Sequence, residues 1–185
     1  PAVEILTTGG SLEGIDDLAA LNARYAAIEA AVRAVPGVTG VGFTTGIPRL
    51  DAPAPAVVVE PVPGETEAVP RAAPRVEART GFLETLGATP IAGRLLEPGD
   101  FLPDAPRVAV VNVSFVRDFL GGRNAVGRRL RVPAEGVAGG AEAPWHEIVG
   151  VVKDMGLSGG DPSLAGGYYV PLRGGGWVRV VERVS

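Results

Sequence analysis

The stretch "LAALNARYAAIEAAVRAVPGVTGVGFTT", residues 18–45, changes its period partway, and that change decides the fold class. Over its first part Leu18, Leu21, Tyr25, Ile28, Val32 and Val35 recur at alternating spacings of three and four. This is the stripe by which one side of an α-helix faces a core. Asp16 and Asp17 stand at its start, where an acceptor side chain can take N–H groups that a first turn leaves unbonded. Glu29 and Arg33 form an i,i+4 pair, and Pro36-Gly37 ends the helix. After that the period changes: Val41, Phe43 and Thr45 fall on one face of a strand whose other face is small.

Outward from this stretch the chain reads mostly as strands. Val57-Val58-Val59 is a buried strand by composition, and Val76, Ala78 and Thr80 alternate with Arg75, Glu77 and Arg79. Pro53, Pro55, Pro61, Pro63 and Pro70 keep any strand between them short or at an edge. Phe82 and Leu86 share one face of a short helix that Gly87 stops. The run 108–111 is a buried strand, and Asn112 caps a helix carrying Phe115 and Phe119 and closed by Gly121-Gly122. Phe82, Phe115 and Phe119 are the predicted core anchors. Further strands are expected at 130–132, 147–152, 168–172 and 177–184. In the last of these, Val178, Val180 and Val184 face the core while Arg179 and Arg183 face water. Gly-rich loops at 136–140 and 156–167 separate these elements, and no internal repeat is visible. The fold class is α+β, with more strand than helix.

Composition narrows the function classes. Of 185 residues, 46% are hydrophobic and 21% charged, while Gly 27 plus Pro 17 is nearly twice the usual share, which predicts a folded chain with many turns. A net charge of -4 argues against a nucleic-acid surface, since that affinity rests on clustered Lys and Arg. Arg128, Arg129 and Arg131 read instead as the wet face of a strand. The absence of cysteine excludes disulfides, thiolate metal sites and cysteine nucleophiles. No apolar run approaches the ~20 residues needed to cross a bilayer. The start at Pro1 rather than Met reads as a piece of a larger protein.

Several motifs are met and set aside. "GLSGG", residues 156–160, matches the G-x-S-x-G elbow of serine hydrolases, which needs a helix directly after the serine and a histidine later in the chain. Ser158 is followed by Gly159-Gly160-Asp161-Pro162, and the only histidine, His146, precedes it; Ser158 is read as a loop residue and His146 as structural or solvent-facing. Gly40-Val41-Gly42 faintly resembles a dinucleotide fingerprint but follows a helix rather than opening one. It is read as small residues permitting close packing. The run 121–127 lacks the Lys-Ser/Thr ending of a phosphate loop. Glu97, Asp100 and Asp104 lack the rhythm of a calcium loop and are read as turn-capping carboxylates. The expectation is therefore no catalytic residue, no cofactor and no metal.

Taken together, "VRAVPGVTGVGFTTGIP" at 32–48, "ARTGFLETLGATPIAGRLLEPGDF" at 78–101, "VAVVNVSFVRDFLGGRNAVGRRLRV" at 108–132, "EIVGVVKDMGL" at 147–157 and "YYVPL" at 168–172 resemble the MacB-like periplasmic core domain of ABC transporter permeases. That group includes FtsX-like permeases, and the match is best to the duplicated orphan permease branch. The resemblance implies a porter-like α/β subdomain formed by the N- and C-terminal segments, 1–80 and 168–185, with a β-rich insert at 81–167. It implies a place on the extracytoplasmic, periplasmic face of the bacterial inner membrane, between two transmembrane helices absent from this chain. The family normally continues past the strand at Trp177 with another helix and strand, and this chain stops at Ser185. The implied role is non-enzymatic: relaying ATP-driven conformational change for export or envelope processes. The implied partners are the permease's own transmembrane helices, a cytoplasmic ATPase subunit or domain, and a periplasmic adaptor or a second permease copy, with no nucleic acid. A substrate- or partner-binding module is the alternative reading, and a serine hydrolase the last.

Overall fold

Asp17 starts the helix that the period predicts. Its carboxylate accepts hydrogen bonds from the backbone N–H groups of Ala19 and Ala20, at 3.3 and 2.9 Å, satisfying donors that the first turn cannot pair internally. The helix, α1, runs Leu18–Arg33, and Arg33 Nε donates to Glu29 at 2.8 Å as the i,i+4 spacing requires. The computed structural model describes residues 4–12, 14–15, 17–46, 52–61, 69–132, 143–156, 161 and 164–184. Of the apolar stripe, Leu21 and Tyr25 are buried, Leu18, Ile28 and Val32 are half-buried, and Val35, beyond the helix, is exposed.

The strands are β1 (Glu4–Ser11), β2 (Val38–Thr44), β3 (Ala56–Val59), β4 (Arg71–Ala72), β5 (Arg75–Ala78), β6 (Ala92–Gly93), β7 (Val108–Asn112), β8 (Arg129–Arg131), β9 (His146–Val152), β10 (Tyr168–Pro171) and β11 (Trp177–Val184). Two short helices, α2 (Phe82–Thr85) and α3 (Val113–Leu120), and a 3₁₀ turn at Pro98–Phe101 complete the described elements. The strands lie in the order β1-β11-β2-β5-β10-β7-β9-β8-β3-β4, with β6 on the edge of β9. Pairs β5–β10 and β7–β9 are parallel and the others antiparallel. A large mixed sheet with few helices is the α+β class expected.

Successive side chains point to opposite faces of a strand, and this sheet has apolar cover on both. Adjacent Tyr168 and Tyr169 show it: Tyr168 packs with Phe115, Leu130 and Ile148, Tyr169 with Phe82, Phe101 and Val110. Nearer α1, a third cluster joins Leu21, Tyr25, Val41 and Phe43 to Leu172, Val178 and Val180. The proline-rich segment behaves as expected, giving a four-residue β3 and a two-residue β4 at the end of the sheet.

Some expectations need correction. β1 was not anticipated, because Ile5 through Ser11 are exposed and carry no alternation. β11 does not have one wet face: Val178 and Val180 pack toward α1, but Val181, 2% exposed, packs with Phe82 on the other side. Val184, expected in the core, is half-buried at the strand's end, as is Phe119 on α3.

Candidate functional site

Arg79 follows β5 in the alternation that reads as solvent-facing, but its guanidinium is drawn between two rings. It lies 4.3 Å from the Tyr25 ring centroid and 4.8 Å from that of Phe101, a geometry in which the ring quadrupoles attract the cation. Its Nη1 donates to the Leu172 carbonyl at 3.3 Å. Burial lowers its pKa, with Tyr25 and Glu29 opposing. Tyr25 meets Phe43 edge-on at 5.0 Å, and its hydroxyl donates to the Gly174 carbonyl at 3.2 Å. Burial pushes that hydroxyl up to about 12, so it stays protonated.

Phe101 is held in place by the turn that carries it. The Asp100 carboxylate accepts from Arg94 Nη1 and Nη2 at 2.7 and 2.9 Å and from the Glu97 N–H at 2.8 Å. Burial disfavours the ionised Asp100, but the Arg94 and Glu97 hydrogen bonds outweigh it and keep the carboxyl below the usual aspartate range. Arg173 Nη2 then donates to the Asp100 carbonyl at 2.7 Å. One chain of contacts thus runs from α1 through Tyr25, Arg79 and Phe101 to Arg94 and Arg173. Between α1 and the turn opens a cleft of about 320 Å³, bordered by Tyr25, Glu29, Phe43, Arg79, Phe101 and Leu102. The arrangement can grip an apolar or planar group, or transmit a displacement. Among the described residues that border it, none is a nucleophile paired with a base.

The residues singled out in the sequence fall as follows. Ser158 lies outside the described residues. His146 opens β9, half-buried, with burial and then the charges of Arg107, Arg75 and Arg173 pushing its pKa down to about 4. Glu97 and Asp100 do turn-holding work and Asp104 is exposed. Among the described residues no three His, Cys, Asp or Glu side chains are grouped to hold a metal. Gly42 serves close packing: a Cβ there would stand 2.3 Å from Phe82 Cα. Gly121, at φ 60, ends α3 as a left-handed cap. Arg129 pairs with Glu60, and Arg131 lies 4.5 Å from the Trp145 ring centroid, so that strand's arginines are anchored as well as wet. The stacked Arg79 was the residue missed, since its rings come from positions far away in sequence.

Among the described residues no helix is long and apolar enough to cross a membrane. The sequence profile of the MacB-like periplasmic core domain matches residues 5–184. No curated protein matches the chain. Among solved structures, the periplasmic region of MacB from Actinobacillus actinomycetemcomitans superposes with a TM-score of 0.59 at 15% identity, covering 97% of this chain and 74% of that one. The extracellular domain of the noncanonic ABC-type transporter YknZ from Gram-positive bacteria superposes with a TM-score of 0.54 at 14% identity, covering 98% of this chain and 84% of that one. At these identities the likeness is one of fold.

Proposed function

The chain belongs to the family of MacB-like periplasmic core domains, and from that premise we propose that it is the extracytoplasmic, non-enzymatic domain of an ABC transporter permease that passes on ATP-driven movement. ATP is hydrolysed by a cytoplasmic subunit or domain. Transmembrane helices of the permease deliver the resulting displacement to this domain on the periplasmic side, and an adaptor or second permease copy receives it. On this reading the α1 end of the sheet is the porter-like part, built from both ends of the chain, and the α3 end is the insert. β3 and β4, although ahead of residue 81, pair beside β8 and go with the insert.

The observation that carries the proposal is the pairing of the first and last described strands. β1 and β11 are in register over their whole length, from Glu4 opposite Val184 to Ser11 opposite Trp177. β11 is also bonded to β2 along its other edge. A displacement applied to this pair is passed to the sheet through its backbone hydrogen bonds; Gly/Ser linkers, by contrast, behave as random coils. The test is to insert a flexible linker of about ten residues after Val184 in the full-length permease. The domain should stay folded and ATP hydrolysis should persist, while transport or other extracytoplasmic output falls sharply. Output at the wild-type level with the same linker at both membrane attachments overturns the relay.

A second reading is favoured by the cleft beside α1, where Leu102 is 58% exposed next to Tyr25 and Phe101. A module that captures an apolar or peptide group there would tolerate both linkers and lose output when the cleft is filled.

A further inference from the structure

We propose that a cavity where β9 begins and β10 ends binds a small soluble oxyanion, a phosphate or carboxylate group, through Arg107, Arg173 and Arg75 with His146 beside them. The proposal is independent of the relay reading. β10 lies between β5 and β7, antiparallel to β7 and parallel to β5, and β7 is parallel to β9. That topology gathers the end of β10 and the starts of β7 and β9 at one end of the sheet. There a cavity of about 210 Å³ is lined by Arg75, Glu77, Arg107, His146, Pro171 and Arg173, among others. It is smaller than the ~300–1,000 Å³ of sites that hold drug-sized ligands, which suits a small ion.

The charge of this cavity is opposite to that of the chain, whose net charge is -4. Among the described residues three guanidinium groups face it against one carboxylate, and that carboxylate, Glu77, already accepts from Arg75 at 2.7 Å. Arg173 is fixed by donating Nε and Nη2 to the Asp100 carbonyl at 3.1 and 2.7 Å, and Nη2 to the Ala105 and Pro106 carbonyls at 3.1 and 2.9 Å. Those acceptors hold the guanidinium without neutralising it. The Arg107 carbonyl accepts from the Glu147 N–H at 2.9 Å, but its guanidinium makes no hydrogen bond or ion pair among the described residues, and its side chain is exposed, so its donors are available. Guanidinium forks match the geometry of oxyanions and their charge-assisted bonds are the stronger kind.

His146 supplies the second, separate sign. Its half-buried ring lines the same cavity and is held by a backbone hydrogen bond at Pro144. The charges of Arg107, Arg75 and Arg173, after burial, keep its ring neutral down to about pH 4. The field that repels a proton from this ring attracts an anion to the space beside it.

Because the chain has one histidine, the histidine ring resonances in nuclear magnetic resonance come from this cavity. Inorganic phosphate and acetate are titrated separately into the 185-residue chain, with chloride holding the ionic strength constant. Saturation of the His146 shifts by either anion is expected, with the His146 pKa rising on binding; Glu77, Arg75, Arg107 and Arg173 are the charged groups facing the ring in that titration. Arg107→Gln, which removes an exposed side chain without partners, should weaken binding about tenfold or more and leave the melting temperature unchanged. Shifts that never saturate, or that match those from chloride alone, overturn the proposal. So does equal affinity in the folded Arg107→Gln variant.

Discussion

At Gly42 the close approach of one helix to one strand depends on a missing atom. A Cβ there would lie 2.3 Å from Phe82 Cα and 2.8 Å from Phe82 N, backbone atoms that cannot swing aside. Gly42→Ala should therefore push α2 off β2 and cost about 1–3 kcal/mol or more, as overpacking does. Gly10→Ala is the control, since nothing lies within 4 Å of its added carbon. Denaturant melts should show a large loss for the first and almost none for the second; equal stabilities would mean that α2 is not seated on β2. The sequence disclosed part of this. Gly40 and Gly42 were recognisable as small residues on one strand face, but the helix they accommodate begins forty residues later. The stacking of Arg79 was hidden for the same reason: Tyr25 and Phe101 stand on either side of it only after the chain has folded back.

Elements with their own start and stop signals were legible; elements made by their neighbours were not. α3 shows the first kind. Asn112 Oδ1 accepts from the Phe115 N–H at 2.8 Å and from the Gly167 N–H at 3.0 Å, while its Nδ2 donates to the Ala165 carbonyl at 2.7 Å. The cap read from sequence thus also ties down the approach to β10. Phe115 and Phe119 stack at 4.3 Å between ring centroids, but they are not equivalent. Phe115 is fully buried, whereas Phe119 is covered by the Arg71 guanidinium, 4.9 Å from its centroid. Phe115→Ala should cost ~3–5 kcal/mol, and Phe119→Ala distinctly less. Urea unfolding of the two variants checks this, and equal losses would contradict the packing. β1 shows the second kind: "EILTTGGS" has no face to bury, and it is a strand because β11 supplies hydrogen-bond partners along its length.

Across the whole molecule, strand order was the least legible feature, because it joins segments that local patterns cannot relate. The period of 177–184 predicted a strand with one wet face. It could not indicate that this strand lies between β1 and β2, with Val181 turned toward Phe82 and Val178 and Val180 toward α1. Removing residues 177–185 should therefore do more than trim an end. β1 loses its described partner, β2 loses one neighbour, and the apolar side chains under α1 lose Val178 and Val180. Circular dichroism and dye binding should report a partly unfolded chain with exposed apolar surface. A cooperative melt like that of the intact chain would contradict this dependence. The same insertion of a late strand between early ones has a consequence in time. Chains are made from the N-terminus at about 5–20 residues per second, so β1, α1 and β2 wait while every element from β3 to β10 is made before the strand that joins them. During that interval Tyr25, Val41 and Phe43 lack part of their cover, and this part of the nascent chain must be kept from associating with others until Trp177–Val184 have been made.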